Sequence, residues 1–208
     1  MHWKWQVDAE PGEPEQNMAE DSALLAALGS SGGTPTVRVY TWSRKSVSIG
    51  RLQSEEAVRR LYPDLPLARR PTGGRAVVHG EDLTITVALP LDCLPPECRS
   101  VLASHELLVD PVKAALTACG LTVCYGGCPI RSQRDIVNCF DLAASCDLID
   151  GHTGTKLVGS AQRREGNALL QQMSLSLALL PDRAAFLSYL RECFGRTFSA
   201  YQISTRSI

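Results

Sequence analysis

The run Leu83-Thr84-Ile85-Thr86-Val87-Ala88-Leu89 alternates over seven residues and stops at Pro90. That is the period-two pattern of a strand, and it limits the folds open to the chain more than any other segment. Other β-rich runs lie close to one another in sequence. Thr36 to Trp42 and Ser46 to Ile49 are separated only by Ser43-Arg44-Lys45, which predicts a hairpin. Leu67 to Arg70 and Ala76 to His79 flank Pro71-Thr72-Gly73-Gly74. Trp3 to Val7, Leu121 to Tyr125, Ile136 to Phe140, Leu157 to Gln162 and Leu169 to Leu177 read as further strands.

Helical spacing separates these runs. Met18, Ala19, Ala23, Leu24, Ala27 and Leu28 predict a helix over Glu15 to Leu28, ended by the glycines of 29–33. Ser54 caps a short helix reaching Leu61, and Pro63 stops it. Leu107, Leu108, Pro111, Val112, Ala115 and Leu116 place the longest helix at Ser104 to Cys119, with Gly120 as its stop. Asp182 to Phe194 closes the chain as a helix, Cys93 to Arg99 is a proline-containing connector, and Gly126 to Asp135 is an irregular loop. Strands interspersed with helices, many adjacent in sequence, predict an α+β fold: a mixed, mostly antiparallel sheet with flanking helices. At 208 residues the expectation is one domain over 1–208, its core at about 15–195.

Charge narrows the function. Twenty-one Lys and Arg stand against 22 Asp and Glu, a balance unlike the basic excess of a nucleic-acid binder. No apolar run approaches the roughly 20 residues of a membrane-spanning helix, and the N-terminus lacks the apolar core of a secretory signal. A cytoplasmic chain with no nucleic-acid or membrane partner is the expectation. Eight cysteines are unusual, but Cys119, Cys124 and Cys128 have x4 and x3 spacings rather than those of structural zinc, and the four histidines are scattered. No metal site is expected.

Three segments carry possible chemistry. In Arg69-Arg70-Pro71-Thr72-Gly73-Gly74-Arg75-Ala76-Val77-Val78-His79, two glycines permit close backbone approach, and the arginines suit a phosphate or carboxylate. Taken alone, the segment is a turn with solvated arginines. In Lys156-Leu157-Val158-Gly159-Ser160-Ala161-Gln162 a lysine opens an apolar strand, and the small residues that follow leave room for an acyl chain. Alone, it is a surface lysine. In Asn138-Cys139-Phe140-Asp141 a thiol ends an apolar run, and it becomes a nucleophile only if a cation lowers its pKa. Nothing local supplies one, so Lys156 would have to approach in space.

Together the segments resemble the lipoate–protein ligase and octanoyltransferase family, the lipoyl branch of the fold shared with biotin protein ligase. The likeness covers roughly residues 15 to 180. It runs from Asn17-Met18-Ala19-Glu20-Asp21 through Arg38-Val39-Tyr40-Thr41-Trp42 and Ser46-Val47-Ser48-Ile49-Gly50, then through Arg69 to His79, the strand Leu83 to Val87, and Lys156 to Arg163. It implies two competing chemistries. Ligases activate free lipoate with ATP and commonly carry an accessory C-terminal domain, for which this chain is expected to leave no space. Octanoyltransferases move octanoate from octanoyl-acyl carrier protein through an enzyme thioester to a lysine of a lipoyl domain, such as glycine cleavage H protein or a 2-oxoacid dehydrogenase E2. Cys139 resembles the nucleophile of the transferases whose cysteine precedes the family lysine, and the second group's position, near Glu165 to Leu169, has no cysteine.

The resemblance therefore implies an octanoyltransferase without a cofactor, with Cys139 and Lys156 catalytic. Arg70, Thr72, Gly73, Gly74, Arg75, Ala76, Val77, Val78, His79, Gly159 and Ala161 would bind substrate. Val77, Val78, Leu157 and residues 159–161 would line an apolar slot, with Arg70 and His79 holding the polar end or shaping the pocket. Cys146, nearer Lys156 in sequence, is the rival nucleophile. Two departures stand out: the insert Gly151 to Thr155 lengthens the turn before Lys156, and Gln171-Gln172 replaces a pair that often contains histidine. Arg44, Lys45, Arg51 and Arg75 are candidates for docking an acidic carrier. An ATP-dependent ligase, a noncatalytic binder of acylated partners, and a redox or metal protein built on the cysteines are the rival readings.

Overall fold

The computed structural model describes residues 3–31, 33–126 and 146–202. Among these, two sheets share the strands. The larger contains β1 (Lys4–Val7), β2 (Thr36–Tyr40), β6 (Asp82–Pro90), β7 (Val123–Tyr125), β8 (Leu148–Asp150), β9 (Lys156–Glu165) and β10 (Ala168–Ser176). Its spatial order is β1-β2-β6-β10-β9-β8-β7, antiparallel throughout except for the parallel β1–β2 edge. The smaller sheet has β3 (Ser46–Ile49) at its centre, between β4 (Leu67–Arg69) and β5 (Val77–His79).

The helices are α1 (Pro14–Ser31), α2 (Glu55–Leu61), α3 (Val101–Ala118) and α4 (Arg183–Gln202). Ser54 and Ser100 cap α2 and α3, their side chains accepting the amides of Ala57 and Ala103. The alternation in β6 is explained by what covers each face. Leu83, Ile85, Val87 and Leu89 join the main core with Leu108, Val112 and Leu116 of α3 and Phe186, Leu190 and Phe194 of α4. Thr84, Thr86 and Ala88 take the other face, where α1 packs. All nine residues of the strand are buried, so the polar half of the pattern marks a second interior rather than solvent.

The α+β class holds, with two corrections to element placement. Thr36 to Trp42 and Ser46 to Ile49 do not form a hairpin: β2 pairs with β1 and β6, while β3 enters the other sheet beside β4 and β5. The Ser43-Arg44-Lys45 link is a crossing between sheets, and that crossing makes a cleft between them. The chain also adds β8, too short and mixed to stand out in sequence, and α4 continues eight residues past Phe194. The expected strand Ile136 to Phe140 and nearly all of the loop 126–135 lie outside the described residues.

Candidate functional site

The cleft between the sheets closes into a narrow apolar slot. Gly159, Ser160 and Ala161 form one wall on β9, with Gln172, Met173 and Ser174 beside them on β10. Met18 of α1, Tyr40, Trp42 and Thr84 close the far side, and Ser48, Arg70, Val77 and His79 of the small-sheet region face across. The absence of large side chains at 159–161 is what leaves the space: register sets Gly159 opposite Ser174 and Ala161 opposite Gln172.

A buried polar frame surrounds the slot. Asp21 of α1 accepts hydrogen bonds from Tyr40 Oη at 2.8 Å, Thr86 Oγ1 at 2.7 Å and Gln172 Nε2 at 2.6 Å, and pairs with Arg38 at 2.9 Å. One carboxylate on a helix thereby joins three neighbouring strands. Burial pushes its pKa up, against the pull of Arg38 and its three hydrogen-bond donors. Arg38 is itself shared with Asp8 and Asn17. Gln172 extends the frame, since its Oε1 accepts the hydroxyl of Thr72 in the glycine turn.

A second polar chain lies between the sheets. His79 Nδ1 is 2.7 Å from Asp82 and Nε2 is 2.7 Å from Ser48 Oγ, with the ring stacked 3.7 Å from Trp42. Burial lowers the His79 pKa more than Asp82 raises it, so the ring is neutral at neutral pH. Asp82 resists burial because His79, Ser174 and the Gly80 amide donate to it, and its pKa falls. The Asp82 carboxylate accepts the Nδ1–H, which leaves Nε2 to accept from Ser48. Ser48 Oγ also accepts from Arg70 Nη1 at 3.1 Å, and the same guanidinium donates to the carbonyls of Ser48, Gly73 and Arg75. Arg70 thus folds the Thr72–Arg75 turn onto the slot; of its two expected roles, shaping is the one this geometry supports. Gly74 has φ of +87°, and a Cβ on Gly50 would meet the Gly74 carbonyl at 2.0 Å, so both glycines are needed for this close packing.

The chain has clear relatives. Residues 13–198 match the lipoyl protein ligase A/B catalytic domain. The chain belongs to that family. Among curated proteins it is similar to octanoyltransferase LipM of Exiguobacterium sp., 33% identical over 199 residues, covering 89% of this chain and 68% of that protein. Octanoyltransferase LipM of Exiguobacterium sibiricum is 32% identical over 189 residues, covering 85% and 67%. A solved protein of T. acidophilum with bound lipoic acid has a TM-score of 0.70 at 22% identity, covering 97% of this chain and 86% of that one. The fold is therefore the biotin/lipoate ligase type.

Within this lipoyl ligase family member, Lys156 opens β9 as expected, but it is not at the surface. Its Nζ lies 2.7 Å from Asp147 Oδ2, with both side chains only 4% exposed. Asp147 Oδ1 also accepts the amide of Ser160 at 3.1 Å. Asp147 thus fixes the lysine head against the stretch of β9 that lines the slot. Nothing in the local sequence singles out Asp147, because its meaning depends on a pairing nine residues away. The insert before Lys156 is real: Asp150 Oδ1 accepts the amides of His152 and Thr153, bending 151–155 into a longer turn.

Two expected slot residues point elsewhere. In β5, alternation turns Val77 and His79 into the slot and Val78 away, into a groove with Lys45, Gly80 and Glu81. Leu157 packs into the main core. Ala76 is buried beneath the turn with Val47, Ile49 and Val58. Cys139 lies outside the described residues. Cys146 is buried next to Asp147. Met18, Tyr40, Trp42, Thr84, Met173 and Ser174 were missed as slot residues, although Met18, Tyr40 and Trp42 sit in the segments that carried the resemblance. No described cluster of His, Cys, Asp and Glu is arranged to hold a metal, and no described helix is long and apolar enough to cross a membrane.

Proposed function

We propose that this chain is an octanoyltransferase, taking octanoate from octanoyl-acyl carrier protein and delivering it to a lysine of a lipoyl domain. It spans about two thirds of the curated relatives' length, and those relatives are named octanoyltransferases. The observation that carries the reading is the buried Lys156–Asp147 pair, tied through the Ser160 amide to the wall of an apolar slot. A cation held in a dry site beside an alkyl-sized slot suits the carbonyl end of a fatty acyl group.

Cys139 is the proposed nucleophile. Its thiolate adds to the thioester carbonyl of the donor, the C–S bond to the carrier breaks, and the carrier's thiolate takes up the proton that Cys139 gave up. In this reading the Lys156 ammonium favours the thiolate and stabilises negative charge developing on the carbonyl oxygen. The acceptor lysine then attacks the enzyme thioester as a neutral amine. The new amide forms as the bond to Cys139 breaks, and the amine's proton passes by way of Lys156 to the departing sulfur. The donor is already a thioester, so the reaction draws nothing from ATP. Gly74 lies against Ala161 of the slot wall, Gly73 and Arg75 line the groove beside it, and His79 with Arg70 keeps the slot's walls in place.

The test is intact-protein mass after mixing with octanoyl-carrier protein and no ATP. The expected result is a gain of one octanoyl group, removed by hydroxylamine and absent in Cys139→Ala. Loss in Cys146→Ala instead would move the nucleophile and leave the activity standing. No adduct with any of these proteins, together with lipoyl-domain labelling that requires ATP and lipoate, would replace the transferase with a ligase.

A further inference from the structure

A basic groove opens beside the slot. Arg51, Arg75, Arg163 and Arg164 line it with Leu52, and none of its lining residues carries a carboxylate. It encloses about 610 Å³, and it joins the slot at the glycine turn. Gly74 forms part of the groove, and a Cβ placed on Gly74 would lie 3.7 Å from the Cβ of Ala161 in the slot wall. A ligand in the groove is therefore one residue's width from an acyl chain in the slot.

The arginines are not equivalent. Arg164 donates to the carbonyls of Arg99 and Ser100 at the start of α3, so it contributes field more than free donors. Arg163 shares its charge with Glu165 at the rim. Arg51 is exposed, and next to it Leu52 is 83% exposed, the largest exposure among the large apolar side chains of the described residues. A cationic groove beside one protruding apolar side chain is the pattern of a protein contact with a hydrophobic anchor and charged surroundings. The other two basic candidates do not join it. Arg44 pairs with Glu13 at 2.7 Å, and Lys45 lines a separate groove with Glu81 and Asp82, whose carboxylates would repel an acidic partner.

We infer that this groove docks the acyl donor, receiving the phosphodiester of its prosthetic arm among the arginines while Leu52 contacts the carrier's surface. The inference rests on the transferase reading above. It assigns the groove to the donor rather than the acceptor because only the donor presents a phosphodiester between a folded acidic protein and the thioester. An acceptor lysine arrives on a short side chain and brings no phosphate to match an arginine-lined groove adjoining the slot.

The experiment compares two donors, octanoyl-carrier protein and octanoyl-pantetheine, which lacks both the phosphate and the protein. The proteins are wild type, Arg51→Glu and Leu52→Ser. Each substitution is expected to slow enzyme acylation by the carrier about tenfold at low salt, through kcat/KM. The Arg51→Glu defect shrinks as salt rises and the Debye length falls from about 10 Å at 0.1 M to about 3 Å at 1 M. Acylation by octanoyl-pantetheine and the second transfer to a lipoyl domain stay at wild-type rates. Equal slowing with both donors would mean the substitutions act on the fold. Slowing confined to the second transfer would assign the groove to the acceptor, and unchanged rates with the carrier would place its docking elsewhere. Each of these overturns the inference. A wild-type protein that takes octanoate from neither donor would instead refute the transferase reading beneath it.

Discussion

Replacing Asp147 with asparagine isolates the charge of the buried pair. The amide Oδ1 can still accept the Ser160 N–H, so backbone geometry near the slot is kept, while the Lys156 ammonium loses a carboxylate 2.7 Å away. At that distance and an effective dielectric near 20, the lost attraction is about 6 kcal/mol. The carboxylate's own desolvation cost is lost with it, so the net effect is smaller, about 3–5 kcal/mol for breaking one half of a buried pair. For a chain of this size that corresponds to a fall in melting temperature of very roughly 6–20 °C. The pairing makes a sharper prediction for the double variant Asp147→Asn, Lys156→Met. With no ammonium buried opposite a missing carboxylate, it should recover most of the stability, giving a coupling energy of at least 2 kcal/mol in a double-mutant cycle. Urea unfolding followed by circular dichroism supplies all four free energies. A single variant within about 1 kcal/mol of wild type, or additive single effects, would show that the pair does not hold the lysine head, and the proposed role for Lys156 would lose its structural basis. Both variants should lose acyl transfer, so stability separates them where activity cannot.

Other outcomes follow from the same geometry. Ala161→Leu should fill the slot beside Gln172, lowering kcat/KM for an octanoyl donor at least tenfold while sparing a butyryl donor; equal losses for both chain lengths would mean that Ala161 is not in the acyl path. His79 has a folded pKa below its unfolded value of about 6.5, so the unfolded chain takes up its proton first. The stability this confers is present above pH 6.5 and declines as pH falls from there toward the folded value. His79→Gln should flatten that part of a urea-midpoint profile, and an unchanged slope would place the titration on another group.

Much of the frame was readable from sequence because local patterns fixed it. The alternation of Leu83 to Leu89, the spacing from Met18 to Leu28 and the Ser54 cap each name an element without reference to the rest of the chain. What failed was pairing. Ser43-Arg44-Lys45 has a turn's length, yet a turn and a crossing between sheets look alike until partners for β3 are known, and those are residues 67–69 and 77–79. Val78 was misplaced for a similar reason: its strand was recognised, but which parity faced the slot depended on β3. Asp147 escaped notice, and Gln172 stood out only as a departure from the family pattern, because a buried polar residue reveals its purpose only through its partners in space, here Lys156, Asp21 and Thr72. The motifs succeeded where they did because Arg70 and the glycine turn are bonded mainly to near neighbours.

Asp21 gives the slot a property beyond stability. A helix joined by one carboxylate to three strands of the sheet cannot drift outward to widen the space beneath it without breaking several buried hydrogen bonds together. The compliant part of the wall is the unbranched thioether of Met18, which can change rotamer without moving the backbone, whereas Met173 packs into the main core. The width is set by the frame, and only small adjustments along the depth remain. Such a cavity works as a ruler: it measures an alkyl chain by where the chain ends, with the polar frame as the rigid edge and Met18 as its finest graduation.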